Sequence, residues 1–367
     1  MKVFVLGTRG FPDIQGGVEQ HCESLYPLLG TDDCLITVFR RKPFIINREK
    51  TFPHIRFIDL PSTRIPGFEA FYHSFLSTVA CIIKRPDIVH IHNIGPGFFV
   101  PLLKIFGLKV VMTYHSPNYE HIKWSAYTRY FLKFSEFLSV KFSDIVIFVS
   151  LYQQKKLGNK ANFIHINNGV KLLSLAGKDD YIKDLGLLDR KYILSVGRFV
   201  EEKGFDLLIR AFSKTNQKDF QLVIAGDSDH ETSYSFRLKE LAKANGVVLP
   251  GFIRGENLSQ IYNHARLFVL PSYNEGQPLS LLEAMSFHLP VLASNIPANL
   301  QVALPEESYF TSGNELSLQE KLDQKLNSEF EAVNYDLTSY DWKQIAIQTK
   351  NVYELLLKKR NKSDSVL

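Results

Sequence analysis

Two cations lie close together at a predicted strand-to-helix junction in the second half of the sequence. The apolar run Tyr192–Val196 leads into the segment GRFVEEKG, which contains Arg198 and Lys203. An arginine fork and a mobile lysine at the edge of a parallel sheet are suited to holding a diphosphate. Glu201 and Glu202 leave an alternative open, in which both cations are neutralised within a solvated turn.

The segment EGQPLSLLE combines a predicted helix start with two carboxylates. Pro278 suits the first turn of a helix, so Gly276 and Gln277 are expected to offer free N–H groups at its start. Glu275 then lies just outside the helix and Glu283 well inside it. Ionised carboxylates accept several hydrogen bonds and can orient sugar hydroxyls. The alternatives are a helix-dipole partner for Glu275 and a solvated helical face for Glu283.

Glycines follow the first predicted strand and precede the first predicted helix. Gly7 ends the strand, and the pair Gly16 and Gly17 directly precedes an apolar pattern of helical spacing. Glycine at a helix start lets the backbone approach a ligand, and the free N–H groups there attract phosphate. Arg9 stands where the dinucleotide fingerprint GxGxxG needs a glycine, which argues against a nicotinamide cofactor. Ordinary turn chemistry is the alternative explanation of these glycines.

Histidines and an aspartate occupy other predicted strands and strand ends. His115 follows the strand Val110–Thr113, where it either contacts a ligand or belongs to a structural hydrogen-bond network. His90 and His92 share one face of their strand, but no acidic partner stands at ligand spacing, so we expect no metal site. Asp227 follows a strand in the segment GDSD, which is also ordinary turn composition.

These residues must be positioned by a series of buried strands alternating with helices. Short apolar runs rich in β-branched residues recur throughout, which indicates two parallel sheets. Open parallel sheets bind ligands beyond the carboxyl ends of their strands. We predict strands at Val3–Leu6, Leu35–Phe39, Arg56–Leu60, Ile88–Ile91, Val110–Thr113, Ile145–Val149 and Phe163–Ile166, and then at Tyr192–Val196, Gln221–Ala225, Gly246–Leu249, Leu267–Leu270 and Leu289–Ala293.

Length and composition agree with two domains. The 367 residues are 45% hydrophobic and 22% charged, which is typical of globular proteins and excludes a disordered chain. The predicted domains are 1–172 and 173–345, followed by a C-terminal helix and tail, 346–367, for which packing on the first domain is one option. Three cysteines without CxxC spacing fit a reducing cytoplasm. No signal peptide or membrane-spanning segment is predicted.

Charge is distributed unevenly along the chain. Residues 1–172 carry 21 Lys and Arg against 12 Asp and Glu, a net +9, whereas residues 173–367 carry 22 against 26, a net −4. Residues 123–134 interleave cations and aromatics as an interfacial helix would. We expect this region to contact an anionic membrane surface. The alternative is a helix that buries its aromatics in the first domain; no RNA-binding signature accompanies the segment.

Taken in order, these segments resemble the retaining GT-B glycosyltransferases of family 4. The resemblance covers nearly the whole chain and is carried by GTRGFPDIQGGVEQH, TYHS, NNGV, SVGRFVEEKG, IAGD, PGFIRG and EGQPLSLLE. The opening GTRGFP followed by GGVE is most similar to bacterial members that build surface polysaccharide, among them rhamnosyltransferases. The implied fold is α/β of the GT-B type, with two doubly wound Rossmann-like domains facing across a cleft.

The resemblance also implies roles for single residues. Arg198 and Lys203 match the pair that binds the donor diphosphate and stabilises the leaving group, and His115 matches a histidine that contacts the donor sugar. Glu275 and Glu283 match the two glutamates of the EX7E motif, the first reaching the sugar and the second the ribose. The remaining donor-binding positions are Gly16, Gly17, Asp227, Phe252, Ile253, Arg254, Gly276, Gln277, Pro278 and Leu279.

The function implied is transfer of a hexosyl or deoxyhexosyl group, with retention of configuration, in bacterial surface polysaccharide synthesis. The donor is a nucleotide-diphosphate sugar, and the acceptor a saccharide expected to be linked to polyprenyl diphosphate. No cofactor, metal or nucleic acid is expected, and the location implied is the inner face of the plasma membrane. Two alternatives remain open: a nucleotide-sugar epimerase or phosphorylase of the same fold, and a noncatalytic partner that binds sugar nucleotides.

Overall fold

The computed structural model of the chain contains two compact units. It describes residues 1–45, 49–63, 65, 68–117, 119, 125–170, 178–228 and 231–363. Unit 1 comprises Met1–Gly169 and Ser339–Leu367, and unit 2 comprises Val170–Thr338. The second division thus falls before the predicted boundary at 345/346. It does so because Trp342 already packs against Gly169, where a Cβ would lie 2.4 Å from the indole.

The sheet of unit 1 is parallel, with the order β3-β2-β1-β4-β5-β6-β7. Apart from the two edge strands, its β-branched and aromatic residues are buried on both faces, as expected for a parallel sheet covered by helices. The strands are β1 (Lys2–Leu6), β2 (Leu35–Arg41), β3 (Ile55–Leu60), β4 (Ile88–His92), β5 (Val110–Tyr114), β6 (Ile145–Phe148) and β7 (Phe163–His165). The helices between them are α1 (Gly17–Leu29), α2 (Phe68–Lys84), α3 (Val100–Ile105), α4 (Ala126–Phe142) and α5 (Leu151–Lys156).

The sheet of unit 2 is also parallel, with the order β12-β11-β10-β8-β9. Its strands are β8 (Tyr192–Val196), β9 (Gln221–Ala225), β10 (Leu267–Leu270), β11 (Val291–Ser294) and β12 (Tyr309–Phe310). The helices of this unit are α6 (Asp180–Asp184), α7 (Phe205–Ser213), α8 (Ser233–Ala244), α9 (Gly255–Asn263), α10 (Leu279–Ser286), α11 (Pro297–Leu300) and α12 (Glu315–Asn327).

One strand prediction in unit 2 was wrong, and one strand was missed. Gly246–Leu249 is not a strand, because only Val248 pairs, through an isolated bridge to Val223. The sequence pattern also missed β12, whose two residues are too few to show an alternation. The other predicted strands are present, three with the predicted bounds and the rest with ends that differ by one or two residues.

The chain returns to unit 1 in a last helix, α13 (Trp342–Ser363). Ile345, Val352 and Leu356 of α13 belong to the same buried cluster as Leu25 and Leu29 of α1. The three cysteines are free and buried, Cys22 and Cys34 within this cluster and Cys81 in another. Short 3-10 helices lie at Lys42–Phe44, Pro96–Phe99, Glu201–Lys203, Glu306–Ser308 and Thr338–Tyr340. Across the described ranges, no helix combines the length and apolar character needed to cross a bilayer.

Each sheet has a topological switch point, where successive strands stop being added on one side of the first strand and are added on its other side. In unit 1 this point lies between β1 and β4, and in unit 2 between β8 and β10. Loops that leave the carboxyl ends of two such strands diverge to opposite faces and leave a crevice, which is where open α/β sheets bind ligands. The loops after β8 and β10 in unit 2, and those after β1, β4 and β5 in unit 1, are therefore the expected ligand-binding loops.

Candidate functional site

An ion pair joins the loops that follow β8 and β10 in unit 2. The ammonium Nζ of Lys203 lies 2.5 Å from the Oε1 atom of Glu275, and the hydroxyl of Ser272 donates to the same oxygen at 2.7 Å. The side chains of Lys203 and Glu275 are only 18% and 11% exposed. Two residues that the sequence singled out separately, 72 positions apart, thus meet at the crevice of the sheet.

Glycines allow the three strand-end loops of unit 2 to lie this close together. A Cβ on Gly204 would lie 2.4 Å from the carbonyl oxygen of Pro271, and one on Gly226 would lie 1.9 Å from that of Gly197. The N–H of Gly226 donates to the oxygen of Gly251 at 2.8 Å. The loops after β8, β9 and β10 are therefore fixed against one another by backbone contacts that any side chain would break.

Arg198 and Asp227 lie on two of these loops. Arg198 is half-buried, and the next residue, Phe199, donates its N–H to the carbonyl oxygen of Asp227 at 3.1 Å. The carboxylate of Asp227 accepts the N–H of Ser228 at 2.8 Å and the ammonium of Lys239 at 2.9 Å. Lys239 was not predicted, because nothing in the local pattern of α8 distinguishes it from other surface lysines.

Glu283 is buried within α10 rather than exposed. Its Oε2 atom accepts the hydroxyl of Tyr262 at 3.0 Å, and burial followed by the neighbouring carboxylate raises the pKa of that phenol. The alternative of a solvated helical face is therefore wrong. Pro278 occupies the N-cap position, so α10 begins at Leu279, and Gly276 and Gln277 precede it half-buried. Tyr262 was not predicted, since a buried tyrosine in an amphipathic helix resembles an ordinary core residue.

The segment Phe252, Ile253 and Arg254 leads into α9 at the same edge of the sheet. Arg254 occupies the N-cap position of α9, and Phe252 is 46% exposed. The preceding Gly251, in the left-handed region at φ 75°, accepts the hydrogen bond from Gly226. An exposed aromatic ring thus lies one residue from the backbone that anchors the loop after β9.

In unit 1, His115 lies at one end of a row of buried side chains that are linked by hydrogen bonds. Its Nε2 atom lies 2.9 Å from Nδ1 of His92, whose Nε2 atom lies 2.5 Å from the hydroxyl of Tyr26. The Tyr26 hydroxyl lies 3.0 Å from Nδ1 of His90, and the Tyr353 hydroxyl lies 2.6 Å from the same nitrogen. The structural network that sequence analysis gave as an alternative for His115 is therefore present, and it reaches from β5 to α13.

His21 of α1 joins the same cluster of rings. Its Nδ1 atom lies 2.8 Å from the Oδ1 atom of Asn168, whereas its Nε2 atom is buried without a hydrogen-bond partner in the part of the chain that the structure describes. The nitrogens of His21, His92 and His115 all lie within 4.8 Å of one another. They could offer ligands to a transition metal, although the hydrogen bond between His92 and His115 occupies one nitrogen of each ring.

Burial keeps these imidazoles neutral. It lowers the pKa of His21 to about 4, although the Asn168 hydrogen bond opposes the shift. It lowers the pKa of His90 to about 3, with a smaller contribution from His21. Burial, followed by the neighbouring histidines, also places the pKa values of His92 and His115 well below the usual value. Near neutral pH the cluster can thus donate and accept hydrogen bonds without adding charge.

We expect the protein to lose stability as the pH falls below about 6.5. The folded pKa of each buried histidine lies below its unfolded value, so the unfolded chain binds more protons in the interval between them. The free energy of unfolding should fall by up to about 1.4 kcal/mol per pH unit for each histidine that titrates. Urea unfolding at several pH values measures this slope, and an unchanged free energy of unfolding between about pH 7 and about pH 5 would contradict it.

The predicted glycine pair starts α1, beside a carboxylate that orders the loop. A Cβ on Gly16 would lie 2.1 Å from Oε2 of Glu19, whereas a Cβ on Gly17 would meet no other heavy atom of the described residues within 4 Å. Glu19 accepts the N–H of Arg9 at 3.0 Å and the hydroxyl of Thr8 at 3.2 Å. Gly16 also adopts φ 143°, which residues with a side chain rarely do, while Gly17 leaves backbone open at a helix N-terminus.

Two family models match the chain, one in each unit. The model described as Glycosyltransferase Family 4 matches residues 15–172, and the one described as Glycosyl transferases group 1 matches residues 177–341. An uncharacterized glycosyltransferase from Haemophilus influenzae is 33% identical over 193 residues, which cover 48% of this chain and 51% of that protein. The chain spans about half the length of the first curated relatives that it matches.

Solved structures share the fold over the whole length. Sucrose-phosphate synthase from Thermosynechococcus elongatus aligns with a TM-score of 0.78 and 22% identity, covering 98% of this chain and 99% of that one. Anabaena HepE in complex with UDP-glucose aligns with a TM-score of 0.71 and 17% identity, covering 100% of both chains. At these identities the likeness establishes the architecture: two Rossmann-like parallel-sheet domains of the GT-B type.

Proposed function

Because the chain is a GT-B glycosyltransferase of the group 1 and family 4 type, we propose that it transfers a hexosyl or deoxyhexosyl group from a nucleotide-diphosphate sugar to a saccharide acceptor with retention of configuration. Unit 2 is assigned the donor and unit 1 the acceptor. The observation that carries this assignment is the Lys203–Glu275 pair at the crevice between β8 and β10, where a cation and a carboxylate can hold diphosphate and sugar.

The donor diphosphate is assigned to Lys203 and Arg198 on the loop after β8. As the glycosidic bond breaks, negative charge develops on the departing phosphate oxygens and oxocarbenium character on the anomeric carbon. Cations and helix N-terminal N–H groups placed where that charge appears lower the barrier. In the proposed front-face reaction, the acceptor hydroxyl passes its proton to the leaving phosphate oxygen. No metal or cofactor is proposed.

The carboxylates are assigned to the hydroxyl groups of the donor. Glu275 is proposed to orient the sugar, and Glu283, held by Tyr262, to accept the ribose hydroxyls. His115 is proposed to contact the sugar as a neutral imidazole. Gly16, Gly17, Asp227, Phe252, Ile253, Arg254, Gly276, Gln277, Pro278 and Leu279 complete the proposed donor-binding set.

The acceptor is proposed to be a saccharide on polyprenyl diphosphate, in the synthesis of a bacterial surface polysaccharide. The net +9 of residues 1–172 supports an anionic acceptor or an anionic surface at unit 1. The opening motifs GTRGFP and GGVE favour this class, with rhamnosyl transfer as one candidate. The corresponding location is the cytoplasmic face of the plasma membrane.

A panel of UDP-, GDP- and dTDP-sugars with the free nucleoside diphosphates tests the donor assignment. We expect one nucleotide class to raise the melting temperature selectively, without metal and unchanged by magnesium. UDP-sugars come first, because HepE was solved with UDP-glucose. A folded protein whose melting temperature none of them shifts would contradict the donor site.

Release of nucleoside diphosphate separates transfer from the alternatives. A transferase releases it in proportion to acceptor, whereas an epimerase releases none, and a binding partner shows the thermal shift without turnover. Release that does not depend on acceptor would contradict transfer. The anomeric configuration of an isolated product decides between retention and inversion.

A further inference from the structure

The helix α4 has an unusual distribution of polar and aromatic residues. Tyr127 and Tyr130 are 90% and 78% exposed, and Phe134 and Phe137 are also exposed. These four residues follow the i, i+3, i+7, i+10 spacing that places side chains along one side of a helix. The alternative that residues 123–134 bury their aromatics is therefore wrong for Tyr127, Tyr130 and Phe134, whereas Phe131 is half-buried. Residues 123 and 124 of the predicted interfacial segment lie outside the described residues.

The opposite side of α4 is buried, and on it polar residues lie beside Leu132 and Val140, which join a core cluster. Ser135 donates to the carbonyl oxygen of Ile94 at 2.6 Å, and Glu136 accepts the hydroxyls of Tyr114 and Tyr119. A surface helix of a globular protein normally buries its apolar side and exposes its polar side. In α4 the exposed stripe is the aromatic one, so that stripe is unexplained by the packing of unit 1.

Exposed aromatics continue from α4 onto α2. Phe68, Phe71 and Phe75 of α2 are exposed. The ring centroid of Phe71 lies 5.9 Å from that of Phe98, which in turn lies 6.5 Å from that of Phe134. We call the surface formed by Phe68, Phe71, Phe75, Tyr127, Tyr130, Phe134 and Phe137 the aromatic face. Contiguous exposed apolar surface of this kind marks an interaction site.

Cations accompany the aromatic face, and its carboxylates are neutralised or buried. Arg129 and Lys133 are exposed on α4, and the ammonium of Lys141 lies 5.2 Å from the ring centroid of Phe137. The carboxylates of these two fully described helices are Glu69, paired with Arg41 at 3.5 Å, and the buried Glu136. The charge presented by α2 and α4 is therefore positive.

A pocket beside α4 gathers three of the cations of unit 1. It has a volume of about 400 Å³ and is lined by Tyr119, Arg129, Lys133 and Lys156. Three cations and a phenol around a pocket of this size suit a phosphate group, since charge-assisted hydrogen bonds to phosphate are strong.

We propose that the aromatic face docks on an anionic phospholipid bilayer and that the pocket at Arg129, Lys133 and Lys156 takes a lipid headgroup phosphate. Aromatic rings favour the headgroup level of a bilayer, and nearby lysines and arginines are attracted to anionic lipid. A second copy of this chain is a poor occupant, because pairing two such faces would bring like charges together. This proposal rests on the proposed function in one respect: docking would bring the enzyme to a lipid-linked acceptor.

Vesicle sedimentation tests the proposal with the full chain and without donor or acceptor. We expect the protein to sediment with vesicles of phosphatidylcholine and phosphatidylglycerol, much less with phosphatidylcholine alone, and less at high salt. The double variant Lys133→Gln/Lys156→Gln should bind the anionic vesicles about twenty-five-fold more weakly, since each cation near the surface contributes about fivefold. Tyr127→Ser/Tyr130→Ser should weaken binding to the same vesicles without changing its salt dependence.

The matched control changes an exposed aromatic and an exposed lysine of α8 in unit 2, Phe236→Ser/Lys243→Gln, which should leave vesicle binding unchanged. Melting temperatures without ligand show whether each variant is folded. Equal recovery of the wild type in the supernatant with both vesicles would overturn the proposal. Binding that the folded variants retain in full, or capture by a single-stranded RNA instead of vesicles, would also overturn it. None of these outcomes bears on the donor thermal shift, so the two proposals fail separately.

Discussion

Lys203→Ala should lower the turnover of nucleotide sugar by about 100- to 1000-fold, the usual cost of removing one group that stabilises developing negative charge. The ammonium of Lys203 is the cation held at the crevice between β8 and β10 by Glu275. Without it, the departing diphosphate loses that charge, while Glu275 keeps its hydrogen bond from Ser272. The measurement is the rate of nucleoside diphosphate release in the presence of acceptor.

Two further variants make this result specific. Arg210→Ala removes an exposed cation of α7 that pairs with Asp206 and Glu315, and it should leave turnover unchanged. Lys203→Arg retains the charge but changes its geometry, so it should recover only part of the rate. Unchanged turnover in a folded Lys203→Ala protein would contradict both the role of Lys203 in the reaction and the binding of the diphosphate at this loop.

Gly226→Ala should destabilise unit 2 by about 3 to 4 kcal/mol and abolish donor binding. Gly226 adopts φ 139°, and its Cβ would lie 1.9 Å from the carbonyl oxygen of Gly197. A backbone oxygen cannot turn away as a side chain can, so the loop after β8, which carries Arg198, must shift. The measurements are urea unfolding, for the free energy of unfolding, and the donor-induced change in melting temperature.

Gly246→Ala is the matched control in the same unit. Gly246 also has a positive φ, 65°, but its Cβ would meet no heavy atom of the described residues within 4 Å. The expected loss is only about 1 kcal/mol, from the strained backbone alone, with donor binding retained. If both variants lost the same free energy of unfolding, the contact between the loops after β8 and β9 would not be the cause.

The strands and the residues that follow them could be predicted from the sequence, because their signal lies in a few consecutive residues. Runs of β-branched residues identified most strands because both faces of a parallel sheet are buried. Residues that follow such runs lie near the carboxyl edge of the sheet, which is why Lys203, Glu275 and His115 could be placed there from the sequence. The strand prediction at Gly246–Leu249 was wrong because a short apolar run does not show whether its backbone pairs with a neighbouring strand. The strand β12 was missed because two residues are too few to show a pattern.

The hydrogen-bond partners of the buried histidines could not be predicted from the sequence. His90 meets Tyr353 across 263 positions, and Asn168 meets His21 across 147. Such pairs are set by how helices and strands pack in three dimensions, and neither residue type nor spacing encodes them. The buried polar residues of α4 were missed for the same reason, since Ser135 and Glu136 resemble surface residues until their partners are known.

The return of the chain to unit 1 orders the events of its biosynthesis. The whole of Val170–Thr338 is translated between the first part of unit 1 and α13. Until α13 emerges from the ribosome, the buried cluster around α1 lacks the apolar residues of α13, and the ring of His90 lacks the hydroxyl of Tyr353. The unit made first is therefore completed last, and unit 2 folds as an insertion within it while the nascent chain is still growing.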